Sequence, residues 1–147
     1  MKKMLVLCHG NTCRSPMAEG YLKKMFEDIG KPVHVESAGF LSVKKPLPSH
    51  HYAVRVMSDR RIDISRHKSR CIKGLDLFAY DFILVMNGDQ KKQLLEKYGL
   101  SPDDVIILNF PNGIENPNGK DLNAYYACSE TLYFSTMRVG NMLLNIL

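Results

Sequence analysis

Residues 3–20 read KMLVLCHGNTCRSPMAEG, and this stretch combines a strand, a short loop and the beginning of a helix. The apolar run of residues 3–8 is typical of a buried parallel strand. Ser15 is a suitable helix N-cap, and Pro16 suits a first helical position because it has no amide hydrogen to satisfy. Apolar side chains then recur at helical spacing as far as Gly30. The stretch predicts a strand–loop–helix unit.

The rest of the chain continues this alternation of strands and helices. Residues 33–37 are a second short strand candidate, and continuous apolar runs that suit buried strands cover residues 82–86 and 105–108. Helical patterns cover residues 49–60 and 89–98, and a last helix begins at Asp121. The alternation predicts an α/β fold in which residues 1–147 form a single three-layer domain, with a parallel sheet of about four strands flanked by helices on both faces. Ligands of such sheets bind at the carboxyl ends of the strands.

The composition argues against several classes of protein. Hydrophobic residues make up 45% of the chain and charged residues 24%, which are ordinary globular values. No apolar run approaches the roughly 20 residues of a membrane span, and the N-terminal run is too short for a signal peptide, so we expect a cytoplasmic protein. The net charge of +5 is spread along the chain, so we expect no nucleic-acid partner and no membrane partner.

The four cysteines and the five histidines do not form the closely spaced pairs of a zinc site, and the cysteines lack the density of a disulfide scaffold. We therefore expect no metal and no cofactor. Cysteines in a reducing compartment are more often catalytic or buried. The sequence leaves the oligomeric state open, and a monomer is our default.

The segment CHGNTCRS, residues 8–15, is the main candidate for chemistry. Backbone N–H groups of a short glycine-containing loop, together with a helix N-terminus, favour a bound anion, and the Arg14 guanidinium can add two donors. The positive charge of these groups favours the thiolate form of a nearby cysteine, and the thiolate is the nucleophilic form. We therefore predict Cys8 as the nucleophile and a phosphate-binding loop formed by His9, Gly10, Asn11, Thr12, Cys13, Arg14 and Ser15.

The chain resembles the low-molecular-weight protein tyrosine phosphatases over essentially its whole length. The resemblance rests on five segments: CHGNTCRSPMAEG (8–20), ESAGF (36–40), SRHKSR (65–70), YDFILVM (80–86) and ENPNGKDLNAYYAC (115–128). It implies a two-step mechanism. In the first step Cys8 displaces the leaving group and forms a cysteinyl phosphate, and in the second step water hydrolyses this intermediate. Arg14 would bind the phosphoryl oxygens in both steps.

The resemblance also implies supporting residues and a class of substrate. Ser15 would hydrogen-bond the sulfur of Cys8, and Asn11 would hold the shape of the loop with help from Ser37 and His67. For His67, the alternative is an ordinary surface histidine. The implied partner is a phosphorylated protein or peptide, with phosphotyrosine as the group that is hydrolysed.

One position departs from the family in a way that affects the chemistry. The family carries Asp-Pro before the last helix, where the carboxyl group protonates the leaving oxygen, but this chain has Asn116 and Pro117. An amide cannot transfer that proton, and loss of a positioned general acid costs about 10²–10⁴ in rate. Nearby carboxylates are Glu115, Asp104 and Asp121. We name Asp121 as the substitute acid, the alternative being a helix N-terminal residue.

Two further departures concern the substrate. Asn118 and Gly119 replace the aromatic residues that usually follow the Asp-Pro pair and stack on phosphotyrosine. Thr12 resembles the residue of bacterial protein-arginine phosphatases, whose hydroxyl can hydrogen-bond a guanidino group. A protein-arginine phosphatase is therefore an alternative to the phosphotyrosine enzyme, and Thr12 as a small loop residue is the alternative interpretation of that position.

Two other functions remain as alternatives. A catalytically weak module that binds phosphoproteins would explain why Asn116 replaces the acid, although binding alone requires no nucleophile. A thiol-dependent arsenate reductase would need a closely spaced cysteine pair to relay a disulfide, and Cys71 and Cys128 are isolated in the sequence. The leading interpretation is a cysteine-dependent protein phosphatase.

Overall fold

The structure is a computed structural model that describes residues 1–147. Its strands are β1 (Lys2–Cys8), β2 (Val33–Gly39), β3 (Phe82–Val85) and β4 (Val105–Ile107). Its α-helices are α1 (Arg14–Asp28), α2 (His51–Ser58), α3 (Gly88–Tyr98) and α4 (Leu122–Leu143). The strands pair in parallel in the order β2-β1-β3-β4. The predicted α/β fold with a parallel sheet of about four strands is confirmed.

β1 is buried on both faces of the sheet. Met4 and Val6 belong to a cluster of 23 buried residues that includes side chains of α1, α2 and α4. Leu5 and Leu7 belong to a second cluster, of 11 buried residues, that includes Leu94 of α3. Because successive side chains of a strand point to opposite faces, the two clusters lie on the two sides of the sheet. The prediction of helices on both faces is therefore confirmed.

The carboxyl end of β2 supports the loop that follows β1. Cys8 pairs with Gly39 in the register of the two strands, and the Leu41 N–H donates to the His9 carbonyl at 2.9 Å. A Cβ at Gly39 would lie 2.8 Å from the His9 carbonyl oxygen and 3.1 Å from the Asn11 backbone nitrogen. The loop therefore packs directly on the backbone of β2, with no room for a side chain between them.

The N-terminus of α1 differs from the sequence prediction. We expected Ser15 to be the N-cap, but α1 begins at Arg14 and the N-cap position, Cys13, makes no side-chain cap hydrogen bond. The Ser15 hydroxyl lies instead beside the sulfur of Cys8, at 3.0 Å. Tertiary contacts of the loop thus override the local capping preference. No side chain covers the first N–H groups of the helix.

α4 is the longest helix, with 22 residues, and it packs on α1 and α2. Tyr125 is fully buried, and its ring stacks on the His50 ring at a centroid distance of 4.8 Å. Asp121 is the N-cap residue of this helix.

No helix in the structure has both the length and the apolar character needed to cross a bilayer.

Replacing Gly39 by Ala tests the close packing of the loop on β2. We expect Gly39→Ala to lower the free energy of unfolding by about 1–3 kcal/mol, because the new Cβ would overlap backbone atoms that cannot move independently. Urea unfolding measures the change. Gly74→Ala is the control, since a Cβ there has no neighbour within 4 Å. Equal stability of the two variants would contradict the packing argument.

Candidate active site

Asn11 holds the loop between β1 and α1 in its shape. Its φ is +56°, in the left-handed region that asparagine tolerates better than most residues. Its side-chain Nδ2 donates to Ser15 Oγ at 2.8 Å and to Ser37 Oγ at 3.0 Å, and its Oδ1 accepts from the Arg70 N–H at 3.0 Å. One fully buried amide therefore joins the loop to α1, to β2 and to the backbone of Arg70.

Two histidines support the backbone of the same loop. His67 Nε2 lies 2.7 Å from the Asn11 carbonyl oxygen, and because a carbonyl can only accept, Nε2 carries the proton. The His50 N–H donates to the Thr12 carbonyl at 2.9 Å. The structure thus brings Ser37 and His67, both predicted as supports, into contact with Asn11.

The sulfur of Cys8 sits at the end of β1 and is almost fully buried. The Asn11 N–H donates to Sγ at 3.2 Å, and Ser15 Oγ lies 3.0 Å from it. Because Ser15 Oγ already accepts a hydrogen bond from Asn11 Nδ2, its own proton is free to point at the sulfur. Both donors stabilise negative charge on Cys8, which is the charge of a nucleophilic thiolate.

Arg14 is buried without a counter-ion. Its side chain is in the first turn of α1, the residue is 5% exposed, and Nη1 donates to the Ile114 carbonyl at 2.8 Å. No carboxylate lies within ion-pair distance of the guanidinium. Burying an unpaired charge is costly, so a guanidinium with free N–H groups beside a buried thiol favours an anion as its partner.

The remaining loop residues differ in exposure. His9 is exposed, Gly10 and Thr12 are half-buried, and Cys13 is buried. The Cys13 sulfur lies 3.4 Å from the Tyr125 hydroxyl, and burial raises the pKa of the Cys13 thiol. Cys13 is therefore packed as a neutral thiol in the core, while His9 faces solvent at the mouth of the loop.

An ion pair fixes the segment that carries His67. The Arg70 guanidinium contacts the Glu36 carboxylate and donates from Nε to the Ser37 carbonyl at 3.0 Å. Burial alone would raise the pKa of Glu36, but hydrogen bonds from Arg70 and Tyr80 outweigh it and lower the pKa to about 2. The pair holds the Arg70 backbone where it can donate to Asn11.

Sequence reasoning assigned no role to Glu36 or Arg70. The two residues are 34 positions apart, and no spacing pattern links them. Their segments meet where Gly39 and Cys71 form an isolated parallel bridge at the end of β2. The available signal was chemical, since an acidic residue on a strand with apolar neighbours needs a cation.

The loop with Asn116 lies next to the phosphate loop. The bond between Arg14 and the Ile114 carbonyl joins the two loops directly. Asn116 itself is exposed, and its Oδ1 accepts the Asn118 N–H at 3.1 Å in a tight side-chain turn. The position expected for a general acid is thus beside the site, but it carries an amide.

The three carboxylates considered as substitutes are engaged elsewhere. Asp121 Oδ1 accepts the Ala124 N–H at 3.0 Å, so the contact that the structure gives this carboxylate is that of a helix N-cap. Glu115 is paired with Lys120, whose hydrogen bond and charge lower the pKa of Glu115. Asp104 precedes β4 and therefore lies at the amino end of the sheet, opposite Cys8, which excludes it.

These features define a class of protein. A buried cysteine ends a parallel strand, an arginine without a counter-ion follows it after five residues, and the loop between them leads into an uncapped helix N-terminus. The class is that of anion-binding loops at a helix N-terminus, which suit a phosphate group, here with a thiol at the base of the loop.

Comparison with known proteins defines the family. The sequence profile of the low molecular weight phosphotyrosine protein phosphatases matches residues 3–133. The chain therefore belongs to that family, as its resemblance indicated.

Individual relatives agree with this result. A probable low molecular weight protein-tyrosine-phosphatase, EpsP, of Ralstonia nicotianae is 33% identical over 134 residues, covering 90% of this chain and 89% of that protein. A protein-arginine-phosphatase of Bacillus subtilis is 31% identical over 105 residues, covering 71% of this chain and 69% of that protein. The crystal structure of a low molecular weight protein tyrosine phosphatase from T. tengcongensis has a TM-score of 0.89 at 30% identity, covering 97% of this chain and all of that one.

Asn11→Ala tests the role of the buried amide. We expect it to lower the free energy of unfolding by about 1–3 kcal/mol, because the partners of the lost amide stay buried without it. Affinity for inorganic phosphate, measured by calorimetry, should fall as well. Asn109→Ala is a matched control, since Asn109 also has a φ of +56° but bonds to Gly113 outside the phosphate loop. An equal loss of phosphate affinity in both variants would contradict the assignment.

Glu36→Gln tests the ion pair through the pH dependence of stability. The pKa of Glu36 is lowered from 4.5 to about 2 in the folded state, so its stabilisation is complete above pH 4.5 and is lost as the pH falls toward 2. We expect the difference in unfolding free energy between wild type and Glu36→Gln, about 1–3 kcal/mol at pH 7, to shrink over that range.

Urea unfolding at a series of pH values measures this difference. Glu96→Gln is the control, because Glu96 is exposed and has no ion pair. A difference for Glu36→Gln that stays constant between pH 7 and pH 3 would contradict the pair's role.

Proposed function

We propose that this member of the family hydrolyses phosphotyrosine in proteins through a cysteinyl-phosphate intermediate at Cys8. The observation that carries the proposal is the buried Arg14 guanidinium without a counter-ion, next to a buried thiol that receives two hydrogen-bond donors. A phosphoryl dianion would supply the missing negative charge and place phosphorus above the sulfur.

The mechanism follows from the groups around the loop. The Cys8 thiolate attacks phosphorus and the bond to the leaving oxygen breaks, while Arg14 binds the other phosphoryl oxygens. Water then attacks the cysteinyl phosphate, and the Ser15 hydroxyl stabilises the thiolate as it departs. Asn116 supplies no proton to the leaving oxygen in the first step.

The names of the relatives support the class of substrate. The family and EpsP are named for phosphotyrosine, which is the substrate we propose for this chain. A protein-arginine phosphatase is the second candidate, because Thr12 is a half-buried hydroxyl residue within the phosphate loop and a relative of that name matches the chain. A hydroxyl there can accept a hydrogen bond from a guanidino group.

The two remaining alternatives have less support. A binding module would not need the donors directed at the sulfur of Cys8. An arsenate reductase would need a thiol relay, but Cys128 is buried against the Glu115 carbonyl, with a pKa raised to about 12 by burial, and Cys71 contacts Ser42. Neither thiol forms a disulfide or a hydrogen bond with another thiol in the structure.

The cellular setting that we propose follows from the nucleophile. A catalytic thiol requires a reducing compartment, and all four cysteines are free in the structure, so we propose a cytoplasmic enzyme. Its partners would be phosphorylated proteins or peptides rather than nucleic acid or membrane. We propose that it acts as a monomer without a metal or a cofactor, because the phosphate loop provides both the nucleophile and the cation.

Hydrolysis of p-nitrophenyl phosphate tests the proposal. We expect wild type to be active, Cys8→Ser to be inactive and Arg14→Lys to lose at least about 10² in kcat/KM, since a lysine cannot replace two parallel donors. Cys71→Ser is the matched control and should keep wild-type activity. Phosphotyrosine and phosphoarginine peptides, run in parallel, distinguish the two substrate candidates. Binding of these peptides by an inactive wild type would instead support the binding module.

A further inference from the structure

The side of the site from which the leaving group departs lacks a proton donor. Asn116 occupies the position beside the phosphate loop, and its Oδ1 is used by the Asn118 N–H. Its Nδ2 remains available, and an amide nitrogen can donate a hydrogen bond but cannot give up a proton at neutral pH. A leaving group that departs past Asn116 can thus be hydrogen-bonded but not protonated by it.

The neighbouring titratable groups do not replace that donor. Asp121 caps α4, and Glu115 is ionised in its pair with Lys120. His9 is exposed at the mouth of the loop and makes no side-chain hydrogen bond that would aim it at the leaving group. None of these groups is positioned as an acid.

The same side of the site also lacks an aromatic wall. Asn118 and Gly119 are exposed and carry no ring. Tyr125 is turned into the core, where its hydroxyl contacts Cys13, and the Tyr126 hydroxyl is bonded to Asp59 on the surface. A phenol ring would therefore gain little stacking energy from these residues.

We propose that this site hydrolyses acyl phosphates, the mixed anhydrides of a carboxylic acid and phosphoric acid, faster than it hydrolyses phosphate esters of phenols. The inference rests on the Cys8 mechanism proposed above and adds an activity to it. A carboxylate leaving group has a conjugate acid of pKa about 4, whereas that of tyrosine is about 10. Where no general acid assists departure, a fall in rate of roughly tenfold per pKa unit of the leaving group turns this difference of about six pKa units into a larger effect than the factor of about 10²–10⁴ in rate that a general acid supplies.

The chemistry balances without an enzyme proton. The Cys8 thiolate forms a bond to phosphorus as the bond from phosphorus to the acyl oxygen breaks, and the electron pair leaves with the carboxylate. Charge is conserved, since a thiolate and an acyl phosphate dianion give a cysteinyl phosphate dianion and a carboxylate. Water then cleaves the sulfur–phosphorus bond, and both of its hydrogens remain on the phosphate monoanion that is released.

The two steps determine which rate constant is informative. With a good leaving group the first step is fast, so hydrolysis of the cysteinyl phosphate limits kcat and hides the effect of the leaving group. The value of kcat/KM reports the first irreversible step, which includes departure of the leaving group. A burst of one equivalent of leaving group per enzyme would accompany this regime.

The test compares acetyl phosphate with a series of aryl phosphates whose phenols become less acidic, from p-nitrophenol to phenol. For wild type we expect kcat/KM to fall steeply along the series and to be highest for acetyl phosphate. Asn116→Asp should raise kcat/KM for phenyl phosphate by roughly 10²–10⁴ and change acetyl phosphate little. Asn112→Asp is the matched control, since it adds the same charge at an exposed position of the same loop. Cys8→Ser protein gives the blank for spontaneous hydrolysis.

A second arm distinguishes the source of the acyl phosphate. Acetyl phosphate represents a small molecule, and a protein domain phosphorylated on an aspartate side chain represents a protein substrate. A kcat/KM for either substrate that exceeds the value for phenyl phosphate supports the proposal. The substrate with the larger kcat/KM of the two identifies the source of the acyl phosphate.

Two outcomes would overturn the proposal. One is a wild-type enzyme that hydrolyses phenyl phosphate faster than acetyl phosphate. The other is a shallow dependence of kcat/KM on the pKa of the phenol, which would reveal a proton donor in the site. A steeper dependence in His9→Gln would then identify His9 as that donor. Failure of the Cys8 mechanism itself looks different, because wild type would then hydrolyse none of the substrates, including p-nitrophenyl phosphate.

Discussion

The hydrogen bonds of the Asn11 side chain hold together the three segments on which the loop after β1 rests. A left-handed backbone at this position turns the loop, and the amide then joins α1, β2 and the Arg70 backbone through one buried group. The Asn11 N–H also donates to the Cys8 sulfur, so the residue that shapes the loop also stabilises negative charge on the thiol that we propose as the nucleophile. The geometry of the thiol is thus linked to two distant segments of the chain, β2 and the segment at Arg70.

Arg14 has the complementary function of joining the phosphate loop to the loop that follows β4. Its guanidinium is buried, it uses one N–H on the Ile114 carbonyl, and no carboxylate neutralises it. Because a buried unpaired charge is costly, the carbonyl dipole of Ile114 compensates the guanidinium only in part, which favours an anion as a further partner. The cation that we propose as the phosphate ligand is therefore also the contact that joins the loop of Asn116 to the site.

The sequence was most informative where structure is local. Residues 3–20 contain a complete strand–loop–helix unit, so periodicity and the Cys8–Arg14 spacing sufficed to predict it. The N-cap role of Ser15 was predicted wrongly because its hydroxyl is used by tertiary partners that no local pattern reveals. The Glu36–Arg70 pair was missed for the same reason, since it depends on how β2 meets a segment far along the chain.

The turn at Asn116 separates the stability of its loop from the chemistry of the site. Its side-chain oxygen accepts the Asn118 N–H, and an aspartate oxygen at the same place would accept that bond equally well. Whether the other side-chain atom is an amide nitrogen or a second oxygen matters only for proton transfer. The fold therefore does not distinguish asparagine from aspartate at this position, and evolution can exchange the two by one substitution without rebuilding the scaffold.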